Sequence, residues 1–241
     1  MNATERIEPD PDWNWLYRAG GISAIVLGLA YVAIVGLYVP GGAPPRAVEG
    51  RLIHLAGNTG LWWAILDLSV LTDFLFIPLS LALYFALRTI DKNAMLLATA
   101  CVVLFVVLDL SITWTNYASL IGLSGDYAAA ADETQREAIL TAARYPAAIL
   151  ESSLLFVYNT MTLAVGILLT GIVMLKGVFS RATAYLGIAT GVLGIASVAI
   201  SFFVHSFIVI IVLASVATTL WVFFAGVRLY GRGRSERAKN D

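Results

Sequence analysis

The chain is poor in charged residues, in cysteine and in histidine. Of its 241 residues, 13% are Asp, Glu, Lys or Arg, one is a cysteine and two are histidines. The single cysteine, Cys101, has no intrachain disulfide partner, and a net charge of -1 argues against a nucleic-acid partner. The sequence also lacks a Walker loop and the His-Glu-x-x-His, Cys-x-x-Cys and Gly-x-Ser-x-Gly signatures. We therefore predict no cofactor, and the absence of a catalytic motif weighs against an enzyme.

Long apolar runs make up most of the chain. Hydrophobic residues account for 59% of it, and the mean hydropathy is +0.84, values outside the range of soluble domains. A helix needs about 20 residues to cross the hydrocarbon of a bilayer, and six runs reach that length: 21–39, 61–87, 94–121, 147–175, 184–203 and 207–229. We therefore predict an all-α, polytopic membrane protein, a bundle of six transmembrane helices in the lipid bilayer. The last two runs are nearly fused, so the chain must reverse tightly near His205.

The lysine and arginine residues are unevenly divided between the two ends of the predicted spans. Eleven fall on the side of the termini, and four, Arg46, Arg51, Arg136 and Arg144, fall on the other. Because basic residues accumulate in cytoplasmic loops, both termini are predicted to be cytoplasmic. Residues 1–20 are then a cytoplasmic segment, 21–229 a single transmembrane domain and 230–241 a basic cytoplasmic tail.

Two longer connections, 40–60 and 122–146, are then predicted to face outward. In the first, Val48, Leu52, Ile53 and Leu55 have near-helical spacing, which favours a short helix at the membrane interface. In the second, the segment 132–135 is a capping pattern for another helix, and Pro146 suits the first turn of the fourth span. Neither connection is long enough to form a soluble domain.

Span five carries a stripe of small residues. Thr183, Gly187, Gly191 and Gly194 share one helix face and include a Gly-x-x-x-Gly step. Such a face lets two helices approach closely, and packing within the chain is the favoured interpretation, with a homodimer contact as the alternative.

Four acidic residues, Asp67, Asp73, Asp109 and Glu151, lie in or beside the apolar runs with no basic partner predicted. Helical spacing gives spans two, three and four one polar face each: Ser69, Asp73, Ser80 and Tyr84; Asp109, Thr113 and Asn116; Glu151, Tyr158 and Thr162. Counted from the outer ends, Asp73, Asp109 and Asn159 each fall about 15 Å deep. A buried carboxyl without a basic partner must be protonated or must meet a cation or water.

This polar layer supports two interpretations. The first is a site for a proton, a cation or a small polar ligand, formed by Asp73, Asp109 and Asn159 with Asn116, Glu151, Tyr158 and Asp67. The second is that the same groups only bond one helix to the next. A weaker hypothesis places a metal ion between His54 and His205, which both lie on the predicted outer side.

Two other classes of function remain open from the sequence. One is a membrane-embedded enzyme that acts on a lipid or quinone near the outer leaflet, with Glu151, Asp67 or the histidines as its reactive groups. The other is an accessory subunit without chemistry of its own. An internal repeat of spans, which many transporters contain, is not visible.

The segment 171–188 joins the predicted spans four and five and reads Gly-Ile-Val-Met-Leu-Lys-Gly-Val-Phe-Ser-Arg-Ala-Thr-Ala-Tyr-Leu-Gly-Ile. With the long connection after span one and the acidic spans two to four, it resembles the uncharacterised prokaryotic membrane family known as domain of unknown function 4386. Members of that family have six spans and, at this link, a Pro-Arg pair followed by an aromatic residue and a Leu-Gly step. Here Ser180-Arg181 and Tyr185-Leu186-Gly187 occupy these positions. The resemblance implies a six-span protein of the prokaryotic cell membrane and carries no established activity.

Overall fold

The structure is a computed structural model, and it describes residues 13–177, 179–203 and 208–235. Every regular element in these ranges is a helix. In chain order they are α1 (Asn14–Gly41), α2 (Val48–Ala56), α3 (Thr59–Leu87), α4 (Lys92–Leu108), a π-helical turn (Asp109–Trp114), α5 (Thr115–Ala129), α6 (Glu133–Leu150), α7 (Ser153–Met174), α8 (Arg181–Ser201) and α9 (Ile208–Ser235).

Six helical segments are long and apolar enough to cross a membrane, which confirms the predicted all-α class and the number of spans. They are α1, α3, the continuous helix Lys92–Ala129, α7, α8 and Val212–Gly233 within α9. The protein is therefore a multi-pass membrane protein whose spans contact the lipid bilayer. The predicted turn at His205 lies outside the described residues.

The region around the second predicted connection differs from the prediction. The third span continues as α5 to Ala129, and α6 occupies residues 133 to 150, so most of 122–146 is helical. Pro146 is buried inside α6 and not in the first turn of a span, because the helix that Asp132 caps continues past it. The cap itself is as predicted: the Asp132 side chain accepts a hydrogen bond from the Gln135 backbone N–H at 2.8 Å.

One compact unit of the structure consists of Leu29–Asp73 and Val106–Asn159. In it α2, the short helix predicted in the first connection, packs with α6 against α5. The buried residues of this contact are Leu52, Leu55, Trp62, Ile65, Leu66, Leu120, Ile121, Tyr127, Ala143 and Ala147. The Tyr127 hydroxyl also donates a hydrogen bond to Glu49 at 2.8 Å. Both connecting helices are thus packed parts of this unit.

The other compact unit consists of Met1–Gly28, Phe74–Phe105 and Thr160–Asp241. Here the small-residue stripe of α8 packs on α7, as the intrachain interpretation predicted. A β-carbon at Gly191 would lie 2.7 Å from the Ala164 carbonyl oxygen, and one at Gly194 would lie 2.7 Å from the Ala164 β-carbon. Only glycine permits so close an approach of the two backbones.

Candidate carboxylate site

A π-helical turn interrupts the third span at Asp109–Trp114. Turns of this kind are rare within α-helices and occur frequently at functional sites. In a regular α-helix the side chain five residues further on lies about 140° away around the helix axis. A π-turn closes its hydrogen bonds between positions i and i+5, so it brings Trp114 toward the face that carries Asp109.

Asp109 is buried, with 7% of its surface exposed, and it accepts hydrogen bonds from a neighbouring helix. The Asn159 side-chain amide on α7 donates to Asp109 Oδ1 at 2.6 Å and to Thr113 Oγ1 at 2.9 Å. The Thr113 hydroxyl and the Trp114 indole also lie near Asp109. The predicted approach of Asp109 and Asn159 is therefore observed.

Asp73 on α3 is more deeply buried, with 2% of its surface exposed. The Trp114 indole Nε1 donates a hydrogen bond to Asp73 Oδ2 at 2.7 Å. The same indole lies near Asp109, and the two carboxyl groups lie close enough to interact electrostatically. The sequence analysis did not identify Trp114. Its position five residues after Asp109 would have indicated a role only if the π-turn had been foreseen.

A further residue that the sequence analysis missed is Tyr31 on α1. Its hydroxyl lies near the Thr72 side chain and close enough to Asp73 and Asp109 to interact with them electrostatically. Thr72 itself donates to the Ser69 carbonyl oxygen at 2.6 Å. The site is thus assembled from α1, α3, the π-turn and α7. Among the described residues, no Lys, Arg or His forms an ion pair with Asp73 or Asp109.

The prediction that Glu151 is an unpaired carboxyl within a span is wrong. It terminates α6 and precedes α7, and 46% of its side chain is exposed. The Arg51 guanidinium on α2 forms an ion pair and a hydrogen bond with it. Because α6 ends at Leu150 and α7 begins at Ser153, Glu151 lies at the junction of the two helices. It does not belong to the polar face of α7.

Three further predicted site residues are Asp67, Asn116 and Tyr158. Asp67 on α3 is exposed. The Asn116 side-chain amide donates to the Ile112 carbonyl oxygen at 2.7 Å and does not bond Asp109, because the π-turn changes the face on which residues after it emerge. Tyr158 precedes Asn159 on α7 and lines a cleft of about 320 Å³ beside the π-turn.

That cleft has no charged residue in its lining. It is formed by Ser111, Ile112, Asn116, Tyr145, Ile149, Ser152, Leu154, Leu155 and Tyr158. Neither Asp73 nor Asp109 lines it. Ser111 and Ile112 of the π-turn form part of this lining.

His54 and His205 are not brought together by any described contact. His54 lies against Trp62, with 5.5 Å between the ring centroids, and His205 lies outside the described residues. Within the described ranges no group of three or more His, Cys, Asp or Glu residues could hold a metal ion. The metal hypothesis for His54 and His205 therefore stays a prediction.

No protein-family model, curated protein or solved structure matches this chain. The fold and the site nonetheless define a class: a polytopic membrane protein with two buried, hydrogen-bonded carboxyl groups, Asp73 and Asp109.

Proposed function

We propose that Asp73 and Asp109 bind a proton or a monovalent cation within the membrane, in a transporter, channel or sensor. The observation that carries this proposal is the proximity of the two buried carboxyls: Trp114 donates to Asp73 at 2.7 Å and lies near Asp109, and the two acids interact electrostatically. Two carboxyl groups so close together cannot both be ionised in a low dielectric without a bound cation. The pair must therefore hold at least one proton or one cation.

The polar side chains that the described part of the chain places around the pair are neutral. Asn159, Thr113, Trp114 and Tyr31 provide orientation and dipoles, but none of them offsets a full negative charge. Protons or cations are therefore the ligands that this arrangement favours. A small polar ligand requires more space at the carboxyls than the structure provides, since 2% of Asp73 and 7% of Asp109 are exposed.

The proposal is tested with dicyclohexylcarbodiimide, an apolar reagent that modifies protonated carboxyls in apolar surroundings. In proteoliposomes we expect modification of Asp73 or Asp109, mapped by mass spectrometry, that decreases as the pH rises from about 5 to about 9, because an exchanging site loses its proton. The exposed Asp126 is the internal control and should stay unmodified. If Na⁺ or K⁺ slows the modification in a concentration-dependent way, the ligand is that cation.

Two outcomes would contradict a binding role. Modification that is independent of pH and of added cations would mean that the proton is permanently held behind packed side chains, which is the structural interpretation. Absence of modification at both residues throughout the pH range would exclude an accessible protonated carboxyl. Asp73→Asn and Asp109→Asn identify which residue reacts.

For the orientation, we propose that both termini face the cytoplasm, that connections 40–60 and 122–146 face outward, and that the protein lies in the cell membrane. Single cysteines at Ala129 and Asn240, each in a Cys101→Ala background, should then react with an impermeant maleimide from opposite sides of the membrane. The unsubstituted Cys101→Ala protein is the control. Three spans separate the two positions, so labelling of both from the same side would contradict the six-span arrangement with both termini inside.

Membership of the family known as domain of unknown function 4386, and a prokaryotic source, remain proposals that rest on the segment 171–188. The alternative of an enzyme gains no support, because no described contact joins its candidate residues. Glu151 is paired with Arg51, Asp67 is exposed, and His54 lies against Trp62. No specific contact favours a purely accessory subunit.

A further inference from the structure

The unit that contains α8 and α9 encloses a second, much smaller cavity. It has about 10 Å³ of space for the centre of a water molecule, which is the volume that one water needs. Most of its lining is apolar, and four side chains with hydrogen-bonding groups also line it: Ser80 on α3, Thr99 on α4, Thr170 on α7 and Trp221 on α9. One side chain from each of four helices therefore reaches the same small space.

Two of these side chains have a buried polar atom without a hydrogen-bond partner among the described residues. They are Thr99 Oγ1 and Trp221 Nε1. Serine and threonine hydroxyls inside helices usually satisfy themselves by donating to a carbonyl oxygen of the preceding turn. Ser80 does so to Ile77 at 2.9 Å and Thr170 does so to Gly166 at 2.8 Å, whereas Thr99 does not.

The position of Trp221 makes its unsatisfied N–H significant. The side chain is almost fully buried, with 2% exposed, and it lies against Gly187 of α8, where a β-carbon would be 2.5 Å from Nε1. The glycine at 187 thus leaves room for the indole nitrogen at this place. A buried indole N–H almost always has a hydrogen-bond partner.

We propose that this cavity binds one ordered water molecule that joins α3, α4, α7 and α9. The donor and acceptor inventory is complete for such a water. It accepts hydrogen bonds from Trp221 Nε1 and from the Thr99 hydroxyl, and it donates to the Ser80 and Thr170 oxygens, whose own protons are already used. Buried waters typically make about three hydrogen bonds, so four available partners are sufficient.

Other ligands fit this cavity poorly. A sodium or potassium ion would be repelled by the indole N–H, which can only donate, and no carboxyl lines the space. An organic ligand is larger than the cavity. Water is the one small species that both accepts from an indole and donates to two hydroxyl oxygens.

The test uses nuclear magnetic resonance of the full-length protein in detergent micelles, with ¹⁵N label in the indoles of the six tryptophans. Trp221→Phe identifies the Trp221 signal by its disappearance. In the wild-type protein we expect a cross-relaxation peak between the Trp221 indole proton and water. Thr99→Val removes the hydroxyl but leaves the space, so the peak should persist at lower intensity.

Thr99→Ile is the matched variant, because its additional methylene fills a volume close to that of one water. It should abolish the water peak while the other five indole signals keep their positions. Absence of the peak in the wild-type protein would overturn the proposal. Loss of the peak in Thr99→Val would also overturn it, since the signal would then have been relayed by the Thr99 hydroxyl.

Discussion

Replacing Asp109 with leucine is expected to lower the free energy of unfolding by about 3 kcal/mol. The substitution removes the Asp109 acceptor of the buried Asn159 amide and places an apolar side chain beside the Thr113 hydroxyl and the Trp114 indole. A buried donor without a partner costs about 1–3 kcal/mol, and polar contacts between membrane helices average about 0.6 kcal/mol, which sets the lower end of the effect. The measurement is reversible unfolding in detergent micelles, followed by circular dichroism.

Asp109→Asn is the variant to compare with Asp109→Leu. Its amide oxygen can accept from Asn159 in the same place, so the free energy of unfolding should fall by less than about 1 kcal/mol. Asp126 is an exposed acid of the same continuous helix, so Asp126→Leu is the control for adding a leucine there. It should change the free energy of unfolding by at most about 0.5 kcal/mol. Equal stability of all three variants and the wild-type protein would show that Asp109 makes no net contribution to packing.

The Asp109→Asn variant also separates structure from function. If it keeps the stability but loses the response of carbodiimide modification to pH or cations at Asp73, the two carboxyls act as a coupled pair. If Asp73 responds as before, Asp109 serves only to bond α7 to the π-turn. Stability alone cannot distinguish these roles, because a protonated carboxyl and an amide have similar shapes and hydrogen-bonding capacity.

The six spans were predictable because the bilayer imposes a strong constraint on sequence. Backbone polar groups in lipid must be satisfied within a helix, and about 20 apolar residues are needed for each crossing. The helix ends were less predictable. Residues 122–129 are rich in Gly, Ser, Ala and Tyr and are not apolar enough to suggest a span, yet the helix continues through them.

The carboxyl site was predictable only in part. The depth count placed Asp73, Asp109 and Asn159 in one layer, and the structure has Asn159 bonded to Asp109. The part of Trp114, which donates to Asp73 and lies near Asp109, was not predicted, because the 3.6-residue period assigns Trp114 to a different face from Asp109. A π-turn has no reliable sequence signature, so a periodicity argument could not reveal it.

The ion pair between Arg51 and Glu151 illustrates a second limit. These residues are 100 positions apart in the chain and belong to α2 and to the junction after α6. Sequence spacing relates residues within one helix, but it contains no information about which connecting helices pack together. The prediction that Glu151 lacks a basic partner therefore failed.

Two single-residue deletions in the third span are expected to have very different effects. A π-turn holds one residue more than an α-turn over the same length of helix. Deletion of Ser111, an exposed residue of the π-turn, should restore regular α-helix and keep α4 and α5 on their present faces. We expect a folded protein that loses about 1–2 kcal/mol, because Thr113 moves away from Asn159.

Deletion of Val103, a residue of α4 that is 37% exposed, is the matched control. In a regular helix, deletion of one residue rotates the residues after it by about 100° relative to the residues before it. Either Phe105, Val106 and Asp109 would then face lipid, or Met95 and Ala98 would, and both sets are buried. We expect no folded protein in detergent by size-exclusion chromatography. If the Ser111 deletion were as damaging as the Val103 deletion, the π-turn would not be an inserted residue that the helix can lose.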